Sequence, residues 1–109
     1  MKIQRKNLKL EPDISSLIHF LLKHEPKDEN ENFGIDETIS KSVTFDDGCV
    51  MDIKCCGVEY EEGTTNLPWT EAVLFNDKGG EICCSEVSDD FFGDWELEAN
   101  GNKYIVHVS

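Results

Sequence analysis

The sequence predicts an α+β fold, with one N-terminal amphipathic helix packed on an antiparallel β-sheet of about five or six strands built from consecutive hairpins. Three observations predict it. Apolar residues recur with a helical period between residues 13 and 24, the period changes to two from residue 38, and turn-forming clusters punctuate the second region. At 109 residues the chain has room for one core and not two. It is therefore read as a single domain, residues 1–109, with a basic N-terminal arm or strand at 1–10, the helix at 13–24 and the sheet at 38–109.

Ile14, Leu17, Ile18, Leu21 and Leu22 form the apolar stripe of the helix. Pro12 suits the first turn and Asp13 the positive end of the helix dipole. Lys23 and His24 suit the negative end, and Pro26 stops the helix. Phe20 widens the stripe or sits at its rim. His19 and His24 lie about 140° apart around the axis, which does not suit a metal pair. Residues 25–37 are polar and mostly acidic, with Phe33 and Ile35 the large apolar groups. They read as a loop, and Phe33 either folds back on the sheet or anchors a partner.

From residue 38, Ile39, Val43 and Phe45 alternate with Ser40, Ser42 and Thr44. Asp46-Asp47-Gly48 turns the chain, and Cys49, Met51, Ile53 and Cys55 resume on one face. After Gly57 the apolar parity flips to Val58 and Tyr60, as a bulge or bend would produce, with the strand continuing past it and residues 61–68 forming a loop. Trp69–Phe75 is apolar on both sides at Ala72, Val73, Leu74 and Phe75, which marks a central strand. A turn at residues 76–80 leads into a strand over 81–87, with Ile82 and Cys84 on one face and Cys83 and Val87 on the other. Residues 88–93 form a further turn. Asn100-Gly101 then signals a type I′ hairpin that pairs Glu98 with Lys103, Leu97 with Tyr104, Trp95 with Val106 and Asp94 with His107. In that register apolar meets apolar on one face and opposite charges meet on the other.

Cys49, Cys55, Cys56, Cys83 and Cys84 are odd in number, and no secretory leader accompanies them, so a disulfide framework is not expected. The two adjacent pairs would send their sulfurs to opposite sides of a strand, which opposes a four-ligand metal site. Buried small thiols are the expected state. His107 with Cys83 or Cys84 is the pair closest to a nucleophile and base, but no local motif supports it. No phosphate-binding, dinucleotide, zinc-protease or calcium-loop pattern occurs, and no cofactor is expected.

The net charge is −13, and the bases are unevenly placed: Lys2, Arg5, Lys6 and Lys9 fall in the first ten residues, which contain no acid. An acidic body of this kind repels phosphate backbones and anionic lipid and attracts basic surfaces, so neither direct nucleic-acid binding nor membrane binding is expected. With no apolar run long enough for a signal peptide or a span, a cytoplasmic location is expected. Acids and aromatics cluster at Glu86, Asp89, Asp90, Phe91, Phe92, Asp94, Glu96 and Glu98, which together with Phe33 are the candidate partner-binding residues.

The resulting expectation is a non-enzymatic small acidic binding protein, regulatory or inhibitory, that engages a basic protein surface such as that of a nucleic-acid-binding protein. In size and composition the chain resembles the small acidic proteins of phages and mobile elements that mimic nucleic acid to block restriction or CRISPR-type effectors. That role is the first alternative. A cysteine-dependent enzyme or a metal-binding protein is the second.

Overall fold

The computed structural model describes residues 2–23, 38–56, 59–61, 64–66 and 69–109. The chain begins with a strand, β1 (Lys2–Leu8), followed by the helix α1 (Pro12–Lys23). Next come β2 (Thr38–Thr44), β3 (Val50–Cys56), β4 (Glu59–Glu61) and β5 (Thr64–Asn66). The chain continues through β6 (Trp69–Phe75), β7 (Glu81–Cys84), β8 (Gly93–Ala99) and β9 (Asn102–Val108).

One helix with mostly antiparallel strands is what the two periods imply, but the strands do not form one sheet. Among the described residues a three-stranded sheet has the order β1-β9-β8, a four-stranded sheet the order β2-β3-β6-β7, and β4 and β5 form a two-stranded pair. The basic N-terminal segment is a strand, and it pairs in parallel with β9, Lys2 opposite Asn102 through Leu8 opposite Val108.

Two sheets form because two inner faces need cover. Met51, Ile53 and Cys55 of β3 lie beside Leu74, Ala72 and Thr70 of β6, and all six are fully buried. Across the core stand Trp95 and Leu97 of β8 and Tyr104, Val106 and Val108 of β9. Alternation in each strand sends these side chains to one another and leaves polar residues outside. The inner strands β6 and β9 also bury a residue on the outer face, Val73 and Ile105, because each has neighbours on both sides.

The helix starts one residue earlier than its apolar stripe implies. Ile18 is fully buried and Ile14 and Leu22 pack against the core, whereas Leu17 and Phe20 are exposed. Among the described side chains the working face is the i, i+4 row Ile14, Ile18 and Leu22, and Leu21 of the expected stripe lies outside them. His19, off that row, stacks on Phe92 with ring centroids 4.3 Å apart.

Two other expectations change. Residues 61–68 are not simply a loop, since β5 lies within them and forms a hairpin with β4. The bulge expected at Gly57 lies outside the described residues. In β7 the register to β6 shifts, Leu74 facing Cys83 while Phe75 faces Glu81. The unmatched Ile82 therefore changes parity, so Ile82 and Cys83 both face the core and Cys84 and Val87 are exposed.

The last hairpin has the expected register at every pair, from Asp94 opposite His107 to Ala99 opposite Asn102. Asn100 and Gly101 have φ of 52° and 78°, the two positive values a type I′ turn requires.

Candidate functional site

Seven carboxylates stand between Glu81 and Glu98, at Glu81, Glu86, Asp89, Asp90, Asp94, Glu96 and Glu98, and all are exposed. Between Gly79 and Asn102 there is no lysine or arginine. The fold displays this run along β7, the segment 85–92 and the outer face of β8.

The middle segment has little regular structure but is firmly bonded. Ser88 exchanges two backbone hydrogen bonds with Thr70, at 2.7 and 2.9 Å, and the Ser85 N–H donates to the Ala72 carbonyl at 2.8 Å. The buried Thr70 hydroxyl donates to the Asp90 carbonyl at 2.6 Å. Asp90 in turn accepts from the Phe92 N–H at 3.1 Å, a short side-chain turn that explains why an acid stands there. Phe91 is fully buried and its carbonyl accepts the Trp95 indole N–H at 2.9 Å. Phe91 is therefore removed from the candidate surface. The apolar run Phe91-Phe92 splits into one core residue and one half-exposed residue.

On β8 the alternation of Asp94, Glu96 and Glu98 with buried Trp95 and Leu97 aligns the three carboxylates on the outer face. The outer two have cationic partners. Asp94 accepts from Arg5 at 3.3 Å and contacts His107 Nδ1 at 2.7 Å, and Lys103 lies 3.6 Å from Glu98. The hydrogen bond from His107 and the charge of Arg5 hold the Asp94 carboxyl below the usual range. Glu96 has no ion-pair partner among the described residues. Across from it Ile105 is buried between Glu96 and Arg5, its two register neighbours. The Glu98 and His107 partners were legible from the turn register, whereas Arg5 was not, because its strand arrives from the other end of the chain.

Of the expected residues, Glu86, Asp89, Asp90, Phe92, Asp94, Glu96 and Glu98 thus share this acidic stretch. Phe33 lies outside the described residues.

A second polar cluster, missed in the sequence, lies where the β2–β3 turn meets the three-stranded sheet. Lys6 Nζ donates to Asp46 at 2.9 Å, and the Asp46 N–H donates to Gln4 Oε1 at 3.0 Å. The Tyr104 hydroxyl donates to Asp47 at 2.6 Å, and the Phe45 ring meets Tyr104 edge-on at 5.0 Å. The hydrogen bond from Tyr104 is the main reason that the Asp47 carboxyl is lowered, and it raises the Tyr104 phenol in return. These groups join the two sheets. The signal for them was present only as a turn, and nothing in the local pattern named its partners.

The cysteines are all free thiols. Cys55 is buried, and burial raises its thiol to about 11, which disfavours the reactive thiolate. Cys49 and Cys83 pack against the core, also raised mainly by burial, while Cys56 is half-buried and Cys84 exposed. Burial, the expected state of the thiols, is complete for Cys55, partial for Cys49, Cys56 and Cys83, and absent for Cys84. His107 bonds Asp94 on the outer face of its sheet and Cys83 faces the core, so the structure does not bring that pair together. Among the described residues no three His, Cys, Asp or Glu side chains converge as a metal site. Among the same residues no helix is long and apolar enough to cross a membrane.

No protein-family model, curated protein or solved structure matches the chain.

Proposed function

We propose that this is a non-enzymatic binding protein, regulatory or inhibitory, whose acidic stretch from Glu81 to Glu98 engages a basic protein surface. The observation that carries the reading is seven exposed carboxylates on a segment free of lysine and arginine and tied down by Thr70, Ser85 and Ser88. Fixed charges of one sign steer a partner of the other sign and set its orientation, raising the association rate more than the lifetime of the complex. Phe92, half-exposed beside Asp89 and Asp90, supplies an apolar contact within the charged field.

The nucleic-acid-mimic version of this reading draws on β8, where alternate residues place three carboxylates about 7 Å apart by strand geometry. Arg5, His107 and Lys103 already engage the outer two, so the broader protein-surface version accounts for more of the site.

The test is capture of the partner from cells that make the protein, followed by association kinetics at low and high salt. The rate should fall about tenfold or more as salt screens the field, and Glu86→Lys, Asp89→Lys and Asp90→Lys should lower it cumulatively. A rate indifferent to both salt and charge reversal sinks the proposal.

A further inference from the structure

We infer that Asn100 is a site of self-modification, where the Gly101 nitrogen displaces the side-chain amide and converts the β8–β9 turn into aspartate and isoaspartate forms. This site is separate from the acidic stretch and does not depend on the function proposed above.

Asn100-Gly101 is the sole Asn-Gly pair in the sequence. The reaction needs a carboxamide free to swing toward the next backbone nitrogen, and a nitrogen that no side chain shields. Both conditions are met here. Asn100 and Gly101 are exposed, and a Cβ built on Gly101 meets nothing within 4 Å. Among the described residues no hydrogen bond engages the Asn100 carboxamide or the Gly101 N–H. The φ of 52° at Asn100 also puts a residue with a side chain in the left-handed region, which lowers the cost of the local opening that attack requires.

The comparable positions are guarded. Asn76 is half-buried, and its Oδ1 accepts from the Lys78 N–H at 2.9 Å and the Gly80 N–H at 2.8 Å, bonds that must break before its carboxamide can turn. Asn102 is half-buried and paired on both sides, with Lys2 and with Ala99, so the nitrogen that follows it lies in a strand flanked by two others. In the Asp47-Gly48 pair the carboxylate accepts from the Tyr104 hydroxyl and the Cys49 N–H, and as an anion it is a poor electrophile.

The Gly101 nitrogen attacks Asn100 Cγ, and its proton passes through solvent to Nδ2. The Cγ–Nδ2 bond breaks and ammonia leaves. Water then opens the cyclic imide at either carbonyl. Cleavage at Cγ gives aspartate, and cleavage at the main-chain carbonyl gives isoaspartate, whose backbone runs through Cβ. The two products differ in consequence. Asp-Gly suits the same turn, so the aspartate form keeps the register and adds a carboxylate near Glu98. The isoaspartate form has an extra carbon in the backbone, so the two-residue turn no longer closes the pair of Ala99 with Asn102.

The test is to hold the full-length protein at mildly alkaline pH in water enriched in heavy oxygen and to follow each asparagine by peptide mass spectrometry. Protein unfolded in urea supplies the rate of each residue without structure. Folding should slow Asn76 and Asn102 about tenfold or more, the factor implied by hydrogen bonds that must break first, and should slow Asn100 by less than that. After separation of the products, the isoaspartate fraction should show a lower urea midpoint and lost amide protection beside the turn, while the aspartate fraction keeps both. The variant Asn100→Gly, which suits the turn and has no carboxamide, should hold its midpoint through the same incubation. Folding that slows Asn100 as much as Asn76 overturns the proposal, as does an isoaspartate fraction with unchanged midpoint and protection. A midpoint that falls equally in Asn100→Gly also overturns it.

Discussion

Asn100-Gly101 and Asp46-Asp47-Gly48 each return a strand to its neighbour, and in sequence both are short polar turns ending in glycine. In the fold they differ. A Cβ added at Gly101 would meet nothing within 4 Å, whereas one at Gly48 would come to 2.9 Å from Asp77 Cβ. Gln4, Lys6 and Tyr104 bond the second turn to the opposite sheet. The first turn sets a register and the second joins two layers. Turn chemistry alone reveals the former role and is silent on the latter.

Four measurements break or sharpen that contrast. The largest effect should come from Trp95→Ala. If the last hairpin owes its firmness to facing more than to its turn, loss of this 9% exposed ring and its bond to Phe91 should destabilise by about 3–5 kcal/mol, read from urea midpoints. A change below about 1 kcal/mol would make Trp95 an interface residue and reverse the facing.

Next come the two glycines. Gly101→Ala should cost about 1 kcal/mol for its positive φ alone, while Gly48→Ala, at φ 91° and with the Asp77 contact added, should cost about 2 kcal/mol or more. Equal losses would mean that the β2–β3 turn is no more constrained than its counterpart.

Tyr104→Phe should cost about 1 kcal/mol, the usual worth of one hydrogen bond. It also has a titration signature. The Asp47 carboxyl is depressed in the folded protein, so its contribution is present above the ordinary value of 3.8 and is lost as pH falls through the lower folded value. In the variant the carboxyl resonance of Asp47 should titrate closer to 3.8, and stability below about pH 4 should depend less on pH. An unmoved titration would show that Tyr104 does not hold Asp47. The smallest effect belongs to Glu98→Ala, well under about 1 kcal/mol, because its ion pair with Lys103 is solvent-facing. A larger loss would give the outer face of β8 a structural duty.

What could be read in advance follows from how far each interaction reaches along the chain. The β8–β9 register, the inner row Met51, Ile53 and Cys55, and the central position of β6 follow from alternation and from turns a few residues away. The division into two sheets does not, because it depends on which inner faces meet. Nor does the parallel pairing of β1, whose partner residues are separated by most of the chain. The same limit governed the candidate site. Asp94 and its His107 partner were legible through the hairpin, Arg5 was not, and Phe91 looked like surface until the Trp95 indole turned out to be bonded to its carbonyl.

The parallel pairing of β1 with β9 has a consequence for synthesis. A chain made from its N-terminus releases β1 first, and the residue that faces Lys2, Asn102, is added a hundred residues later. Until then the basic strand lacks β9, its backbone partner among the described residues, while the acidic segments emerge one after another behind it. Closing so long a loop is entropically slow. The nascent strand carries its positive charge beside a growing excess of negative charge, an attraction that favours its staying near the body until β9 is made.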